Sequence, residues 1–288
     1  MNMGEGSGKR AGRAKREDVK KTVRRRYGEI ARTQGSCCGA AKAAPCGCGG
    51  APEDMSRLAG YSEQELGTLP AGADLGLGCG NPVALASLRK GQTVLDLGSG
   101  AGIDCFLAAQ NVGRSGHVIG VDMTPDMLDR ARANARKGGF RNVEFRLGEI
   151  ENLPVADGSV DTVISNCVIN LCQDKKRVFK EIFRVLRPGG RMMVSDIVLL
   201  APLPAAIRGS VEAYVSCIAG AALKKQYLSA IRAAGFRDVE VLGETVYPID
   251  TGDETIRTVV EQLPLGVDEL QKIASTIVSV KVRARKRR

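Results

Sequence analysis

Nine cysteines and a single histidine make thiol chemistry the first possibility that this sequence raises. Cys79 lies between two glycines in LGLGCGNP, Cys167 lies in SNCVINLC, and Cys217 lies on the apolar side of a predicted helix. A lone cysteine is more often a small core residue than a ligand. Cys167, however, follows a predicted strand at the edge where open α/β sheets bind ligands. His117 enters a strand from a Gly-His-Val-Ile-Gly turn, so we interpret it as a loop residue and not as a catalytic base.

The remaining cysteines fall into two groups. Four share the glycine- and alanine-rich segment 35–50, which has no periodicity that could bury a core: Cys37, Cys38, Cys46 and Cys48. This segment is predicted to be a mobile or ligand-bearing loop. A zinc site remains an alternative, although the spacing lacks the usual C-x-x-C pairs. Cys105 and Cys172 are interpreted as structural.

A glycine-rich turn at residues 94–102, VLDLGSGAG, follows a predicted buried strand and opens a helix. Gly98, Gly100 and Gly102 would let a ligand approach the amides at the start of that helix. The pattern differs from the G-x-G-x-x-G dinucleotide motif, which would place glycine or alanine where this chain has Ile103. A nucleoside cofactor is expected here, and a nicotinamide cofactor stays open as an alternative.

Two further strand ends complete the predicted nucleoside site. Asp122 ends the second strand, 24 residues after Gly98, where its carboxylate would accept hydrogen bonds from a ribose diol. The third strand ends at Glu149 and Ile150, which are expected to contact adenine.

The elements that must position these residues alternate between strands and helices. The runs TVLDLG, HVIGVD, VEFRLGE, DTVISN and RMMVSD are rich in β-forming residues, and helical stretches such as KKRVFKEIFRVL separate them. This alternation predicts an α/β fold with a doubly wound, mainly parallel sheet. Before it, Val19, Val23, Tyr27 and Ile30 form one apolar stripe of a predicted docking helix. After it, alternating valines from position 278 predict a half-exposed closing strand.

The chain accordingly divides into five predicted segments. They are a disordered basic tail (1–18), an N-terminal helix with a cysteine-bearing segment (19–80), a doubly wound cofactor domain (81–200), a small C-terminal α+β region (201–280) and a basic tail (281–288).

Most of the net charge of +10 belongs to the two ends of the chain. Residues 1–32 carry +7 and residues 281–288 carry +6, so the rest of the chain is slightly acidic. Specific nucleic-acid binding is therefore not expected. The composition excludes disordered, collagen-like and small disulfide-stapled classes. No apolar stretch is long enough to span a membrane, and we expect a monomeric cytoplasmic protein whose cysteines stay reduced.

The glycine-rich turn, the acidic strand end and LRPGGRMMVSD together resemble the class I S-adenosylmethionine-dependent methyltransferases. The resemblance implies a Rossmann-like fold and assigns contacts with the methionine, ribose and adenine parts of the cosubstrate. The implied residues are Asp96, Gly98, Ser99, Gly100, Gly102, Asp122, Met123, Glu149, Ile150 and Asn166.

Within that class, the chain resembles the arsenite S-adenosylmethionine methyltransferases from about residue 20 to about residue 245. The shared motifs are RRRYGEIA, SCC, a Gly-Cys-Gly, DLGSGAGID, VIGVDMT, SNCVINL and SCIAGA. The resemblance implies that Cys79, Cys167 and Cys217 bind As(III), and that Cys37 or Cys38 takes part in the redox steps. It also implies regeneration by thioredoxin, glutathione or a similar thiol. Thiolates suit a soft centre, and the lone pair of bound As(III) would be the nucleophile, so no general base is needed.

One position departs from the family pattern, and two other functions stay open as alternatives. Leu77 replaces a tyrosine that some members carry before Gly-Cys-Gly, so a contact assigned to that tyrosine does not carry over to this chain. The alternative enzyme is a methyltransferase with a small organic acceptor of the quinone or sterol type. The alternative binding protein sequesters arsenic or zinc on a cofactor fold that has lost its activity.

Overall fold

The structure is a computed structural model, and it describes residues 5–33, 52–204, 207–208, 217–247 and 267–288. Cys37, Cys38, Cys46 and Cys48 lie outside these residues, as does most of the predicted helix around Val211 and Tyr214.

A single eight-stranded sheet runs through the described part of the chain, in the order β3-β2-β1-β4-β5-β8-β7 with β6 beside β5. The strands are β1 (Thr93–Leu97), β2 (His117–Asp122), β3 (Val143–Leu147), β4 (Val160–Asn166), β5 (Leu186–Leu199), β6 (Ala222–Leu223), β7 (Arg237–Val246) and β8 (Ile277–Arg285). Strands β1 to β6 pair in parallel, whereas β8 is antiparallel to both β5 and β7. This arrangement confirms the predicted mainly parallel sheet.

Nine α-helices connect and cover the described strands. They are α1 (Glu5–Arg32), α2 (Pro52–Ala59), α3 (Glu63–Gly67), α4 (Pro82–Leu85), α5 (Ile103–Val112), α6 (Pro125–Lys137), α7 (Lys175–Val185), α8 (Lys224–Ala233) and α9 (Val267–Ser275). A short 3-10 helix spans Ile169–Leu171. Among these described helices, none combines the length and the apolar character that crossing a membrane requires.

Helices cover both faces of the sheet because its central strands are apolar on both sides. Val94, Leu95 and Leu97 of β1 are all completely buried. One core packs the sheet against α7 and α8, and the other packs it against α4, α5 and α6. Burial on both faces explains why these strands are continuous apolar runs.

Helix α1 docks on the body of the protein as its apolar stripe predicts. Val23 and Ile30 are buried, and the Arg32 guanidinium lies 2.9 Å from an Asp126 carboxylate oxygen. Arg130 also donates to the carbonyl of Ala31 at 2.9 Å. The helix begins at Glu5, so it includes most of the segment that was predicted as a disordered tail.

The C-terminal strand differs from its prediction because it is an inner strand. Val278, Val280 and Val282 are buried as expected, but Ser279 between them is only 4% exposed. Its hydroxyl donates to the carbonyl of Cys79 at 2.8 Å, so the second face of β8 is covered as well. The strand continues to Arg285, and residues 281–285 therefore belong to the sheet and not to a basic tail.

One buried carboxyl group in β5 gives the fold a predicted pH dependence. Asp196 is completely buried, accepts from the Tyr227 hydroxyl at 3.0 Å, and has its pKa raised to about 7 by burial. Between pH 4 and 7 the folded chain holds this proton, while an unfolded chain has released it. Stability should therefore fall as pH rises through this range, and Asp196 should contribute up to about 1.4 kcal/mol per pH unit.

We expect Asp196→Asn to flatten this slope, because an amide does not titrate. The measurement is the free energy of unfolding in urea at pH 5, 6, 7 and 8. Asp129→Asn, which changes an exposed carboxylate on α6, is the matched control and should keep the wild-type slope. Equal slopes in Asp196→Asn and wild type would contradict the prediction.

Candidate active site

A cleft of about 1090 Å³ opens at the carboxyl ends of β1, β2, β3 and β4 and is covered on one side by α1. All the residues predicted to bind the cosubstrate line it, with the exception of Gly102. Cys167 lines the same cleft, and so does Leu77. The predicted cofactor residues and one predicted thiol ligand are therefore brought together in one cavity.

The glycine-rich turn has the backbone conformation that its sequence predicts. Gly98, Gly100 and Gly102 all have positive φ angles, of 67°, 50° and 102°, which favour glycine. A Cβ atom on Gly98 would lie 2.5 Å from a methyl carbon of Val168. A Cβ on Gly102 would meet the Phe106 ring at 2.7 Å, so this glycine serves helix packing and does not face the cleft.

Backbone amides of the glycine-rich turn and of Thr124 fix the position of the Asp122 carboxylate. Its carboxylate accepts from the amide of Gly100 at 3.0 Å and from the amide of Thr124 at 2.8 Å. Burial raises the pKa of Asp122, although these backbone hydrogen bonds oppose the rise. The hydroxyl of Ser99, which also lines the cleft, is buried without a hydrogen-bond partner among the described residues. That oxygen lies near Gly120 in the core, whereas a Cβ on Gly100 would meet no atom within 4 Å, so it is the backbone of the turn that leaves room for a ligand.

The three predicted arsenic ligands form one thiol cluster, consisting of Cys79, Cys167 and Cys217. All three are buried, free cysteines in one apolar core. Hydrogen bonds with the thiols of Cys217 and Cys79, together with burial, raise the pKa of the Cys167 thiol well above its usual value. The Cys217 thiol also donates to the carbonyl of Cys167 at 3.1 Å. Within the described residues, no group of three or more His, Cys, Asp or Glu side chains has the arrangement of a metal site.

The backbone is strained at two members of the thiol cluster. Cys167 has φ of 59° and Cys217 has φ of 64°, in the left-handed region that non-glycine residues rarely adopt. Such strain is found at functional sites, where the surrounding structure enforces it. Here the strain accompanies the contact between the Cys217 thiol and the Cys167 carbonyl.

The Gly-Cys-Gly segment is close to the end of β4 and to the interior of β5, and both glycines are needed for that approach. A Cβ on Gly78 would lie 2.6 Å from the Asn166 amide nitrogen, and one on Gly80 would lie 2.5 Å from the Ser195 hydroxyl. The absence of these two Cβ atoms lets Cys79 sit beside Cys167. The sequence indicated this site through its cysteine but gave no reason for the glycines.

Asn166 connects the thiol cluster with the cofactor turn. Its side-chain oxygen accepts from the amide of Cys79 at 3.0 Å. Its side-chain nitrogen lies within hydrogen-bond distance of the Gly80 carbonyl (2.7 Å), the Tyr61 hydroxyl (2.9 Å) and the Asp104 carboxylate (3.2 Å). Burial raises the pKa of Asp104 to about 6. Sequence reasoning missed Tyr61 and Asp104; only the position of Asp104 directly after the glycine-rich turn offered a signal.

Helix α1 also contributes side chains to the cleft that the sequence did not reveal. Lys20 pairs with Glu149 at 2.7 Å and with Glu151 at 3.2 Å, across the predicted adenine side. Tyr27 also lines the cleft, and burial, together with the nearby thiols of Cys217 and Cys167, raises the pKa of its phenol well above its usual value. The helix therefore reaches both the cofactor end and the thiol end of the cleft.

The other chemically interesting side chains lie apart from the thiol cluster. Cys105 donates its thiol proton to the buried Asp96 carboxylate at 3.2 Å, so it has a structural contact. Cys172 is buried in the core and lines the cleft. His117 is at the amino end of β2, outside the cleft, 3.2 Å from Glu144.

The electrostatic character of the cleft suits a cation. Its lining carries six carboxyl groups and one basic side chain, that of Lys20. The carboxyl groups are Asp74, Asp96, Asp104, Asp122, Glu149 and Glu151. Burial raises the pKa of Asp96 and Asp104, and Lys20 pairs with both glutamates, but carboxyl groups still outnumber basic ones, so the sign of the charge suits a sulfonium ion.

A family model described as a methyltransferase domain matches residues 88–235. The arsenite methyltransferase of Halobacterium salinarum is 50% identical over 230 residues, which are 78% of this chain and 59% of that protein. The arsenite methyltransferase of Aquipseudomonas alcaligenes is 41% identical over 186 residues, covering 62% of this chain and 53% of that protein. The chain thus spans between a half and three fifths of these curated relatives.

A solved structure is also similar to this chain, and the alignment covers a larger share of that protein than of the curated relatives. The crystal structure of an arsenic(III) S-adenosylmethionine methyltransferase from Chlamydomonas reinhardtii aligns with a TM-score of 0.58 and 34% identity. The alignment covers 81% of this chain and 72% of that one. It therefore includes most of both proteins.

Proposed function

This chain belongs to the arsenite methyltransferases within the methyltransferase-domain family, and we propose that it transfers the methyl group of S-adenosylmethionine to As(III) held by cysteine thiols. The acceptor is arsenite or an arsenic-thiol conjugate, and the products are methylarsenicals. The observation that carries the proposal is the position of Cys167. It lies in one buried core with Cys79 and Cys217, its backbone carbonyl accepts from the Cys217 thiol at 3.1 Å, and it also lines the cleft that contains the predicted cosubstrate residues.

Arsenic binding by the thiol cluster needs no base in the protein. When arsenous acid exchanges its three hydroxides for three thiols, each departing hydroxide takes one thiol proton and leaves as water. The pKa of Cys167 is raised, so its thiol enters the reaction protonated. The departing hydroxide then takes the proton that a base would otherwise have to remove. Three sulfur ligands leave the lone pair of As(III) unshared, and a soft centre prefers them to nitrogen or oxygen ligands.

The residues around the cleft fit the cosubstrate and would orient it toward the thiol cluster. Asp122 and the glycine-rich turn would hold the ribose and methionine parts, and Glu149 and Ile150 would contact adenine. When bound, S-adenosylmethionine supplies an electrophilic methyl group whose sulfonium loses its positive charge on transfer. Helix α1 and the apolar core around the thiol cluster exclude water and keep the reacting atoms aligned.

We further propose that Cys37 or Cys38 completes the redox part of the cycle. Methyl transfer formally raises arsenic from the trivalent to the pentavalent state. Two thiols can return the two electrons by forming a disulfide, which thioredoxin, glutathione or a similar thiol then reduces.

The decisive experiment is arsenic speciation after turnover. Purified full-length protein is incubated with arsenite, a thiol and methyl-labelled S-adenosylmethionine, and methylated arsenic is separated and counted. We expect labelled methylarsenicals that require both arsenite and protein. Labelled product that forms on a quinone or sterol precursor, with none on arsenic, would instead support the organic acceptor. Arsenic retention without consumption of S-adenosylmethionine would support a sequestering protein.

A further inference from the structure

A second cavity, of about 400 Å³, lies at the amino-terminal edge of the sheet. Four arginines line it: Arg89, Arg191, Arg283 and Arg285. The proposed methyl transfer takes place at the opposite edge, where the carboxyl ends of the parallel strands meet. The methyl transfer therefore gives this arginine cavity no role.

Strand register places arginines side by side at this cavity. Arg191 on β5 is directly opposite Arg285 on β8, and Arg285 is directly opposite Arg237 on β7. Directly opposite residues of antiparallel strands project from the same face, with Cα atoms roughly 4.5 to 5.5 Å apart. Like charges in such positions destabilise a sheet. Burial, together with the charges of Arg89, Arg285 and Arg283, correspondingly lowers the pKa of Arg191.

The carboxylates beside this row do not neutralise it. Glu240 accepts from Arg283 at 2.6 Å, and Asp161 accepts from Arg187, which is outside the cavity, at 2.9 and 3.1 Å. In the described part of the chain, the other three arginines of the cavity have no carboxylate within ion-pairing distance. The row thus retains uncompensated positive charge.

Neutral acceptors fix the orientation of Arg191. Its Nε donates to the carbonyl of Ala86 at 2.8 Å, and its Nη2 donates to the carbonyl of Ser87 at 2.7 Å. Its Nη1 has no acceptor among the described residues and stays available to a ligand. Ser87 has φ of 49°, a left-handed conformation that is costly for serine and that accompanies this contact.

We propose that the arginine cavity binds a phosphate-class oxyanion with two negative charges, either free or as a group on a larger molecule. Guanidinium groups recognise such oxyanions through paired, charge-assisted hydrogen bonds. Arg191 supplies the pre-oriented donor, and Arg285 and Arg89 supply the adjacent charge. Binding replaces repulsion between like charges with attraction to a common anion.

The test is thermal unfolding of the full chain in sodium phosphate and in sodium chloride at equal ionic strength, so that screening is the same in both. Phosphate at about 100 times its dissociation constant should raise the melting temperature by roughly 3 to 8 °C. Arg285→Gln should melt higher than the wild type in chloride, because it removes a like charge, and should lose the phosphate response. Arg191→Gln should also lose that response. Arg114→Gln, which removes one charge from an exposed turn, is the matched control and should keep it.

Three outcomes would overturn the proposal. The first is equal melting temperatures of the wild type in the two salts. The second is a phosphate response that persists in both Arg285→Gln and Arg191→Gln, since the anion would then bind elsewhere. The third is binding of a short DNA duplex without any response to inorganic phosphate, which would indicate a polyanion surface. None of these measurements depends on methyl transfer to arsenic.

Discussion

Replacing Cys167 by serine is expected to abolish arsenic methylation, with a loss of kcat/KM for arsenite of about 1000-fold or more. A loss of that size corresponds to about 4 kcal/mol of transition-state stabilisation. The reason is that Cys167 is close enough to both other members of the thiol cluster for their thiols to raise its pKa, and it is the one member that lines the cleft. A hydroxyl is a hard ligand and does not replace sulfur at a soft centre. Cys217→Ser should have a comparable effect.

The measurement pairs steady-state methylation with the stoichiometry of arsenite binding to the purified variants. Cys105→Ser is the matched control, because it also removes a buried thiol and its hydroxyl can still donate to Asp96. It should keep at least half of the wild-type activity. If Cys167→Ser methylates arsenite as fast as Cys105→Ser does, the thiol cluster is not the acceptor site.

An unchanged affinity for the cosubstrate should accompany the loss in Cys167→Ser. The turn at Gly98 and Gly100 and the carboxylate of Asp122 contact each other and do not depend on sulfur. Calorimetric titration with S-adenosylhomocysteine should therefore give a dissociation constant within about threefold of the wild type, or about 0.7 kcal/mol. This measurement separates loss of the acceptor site from general unfolding.

The sequence predicted the elements of this fold well where the local pattern and the tertiary position agree. Strands β1, β2 and β4 are apolar because helices cover both faces of the sheet. Such continuous apolar runs can be recognised in the sequence alone. The prediction for the last strand was wrong because its local pattern and its tertiary position disagree. Its alternating pattern of valines with polar residues resembles an edge strand, but it lies between β5 and β7, and its polar Ser279 is buried against Cys79.

The candidate site shows a similar division. The sequence indicated the cysteines and the glycine-rich turn because few residue types suit the roles proposed for them. Tyr61, Asp104 and Lys20 were not, because their roles come from contacts with residues far away in the chain. The Tyr61 hydroxyl, for example, donates to Asp104 at 2.7 Å across 43 positions. No local pattern reports such a pair.

Asn166→Ala should reduce methylation by about 100-fold, which is the size of effect that a 1 Å displacement of a reacting group can have. The Asn166 side chain fixes the Cys79 amide on one side and contacts Asp104, next to the cofactor turn, on the other. Without it, Cys79 is free to move away from the thiol cluster. The loss of these buried hydrogen bonds should also cost about 1 to 3 kcal/mol of stability.

Asn142→Ala is the control that separates a positioning effect of Asn166 from a loss of stability. Asn142 makes two side-chain hydrogen bonds to the backbone, at 3.0 and 3.3 Å, and it does not line the cleft. Both variants should lose stability in urea unfolding, but only Asn166→Ala should lose activity and bind arsenite more weakly, at an unchanged ratio of one arsenic per chain. Because Asn166 acts on Cys79 and not on Cys167 or Cys217, we expect the variant to keep two of the three arsenic–sulfur bonds. Equal activities in the two variants, at equal stability, would mean that Asn166 supports the fold and does not position the acceptor.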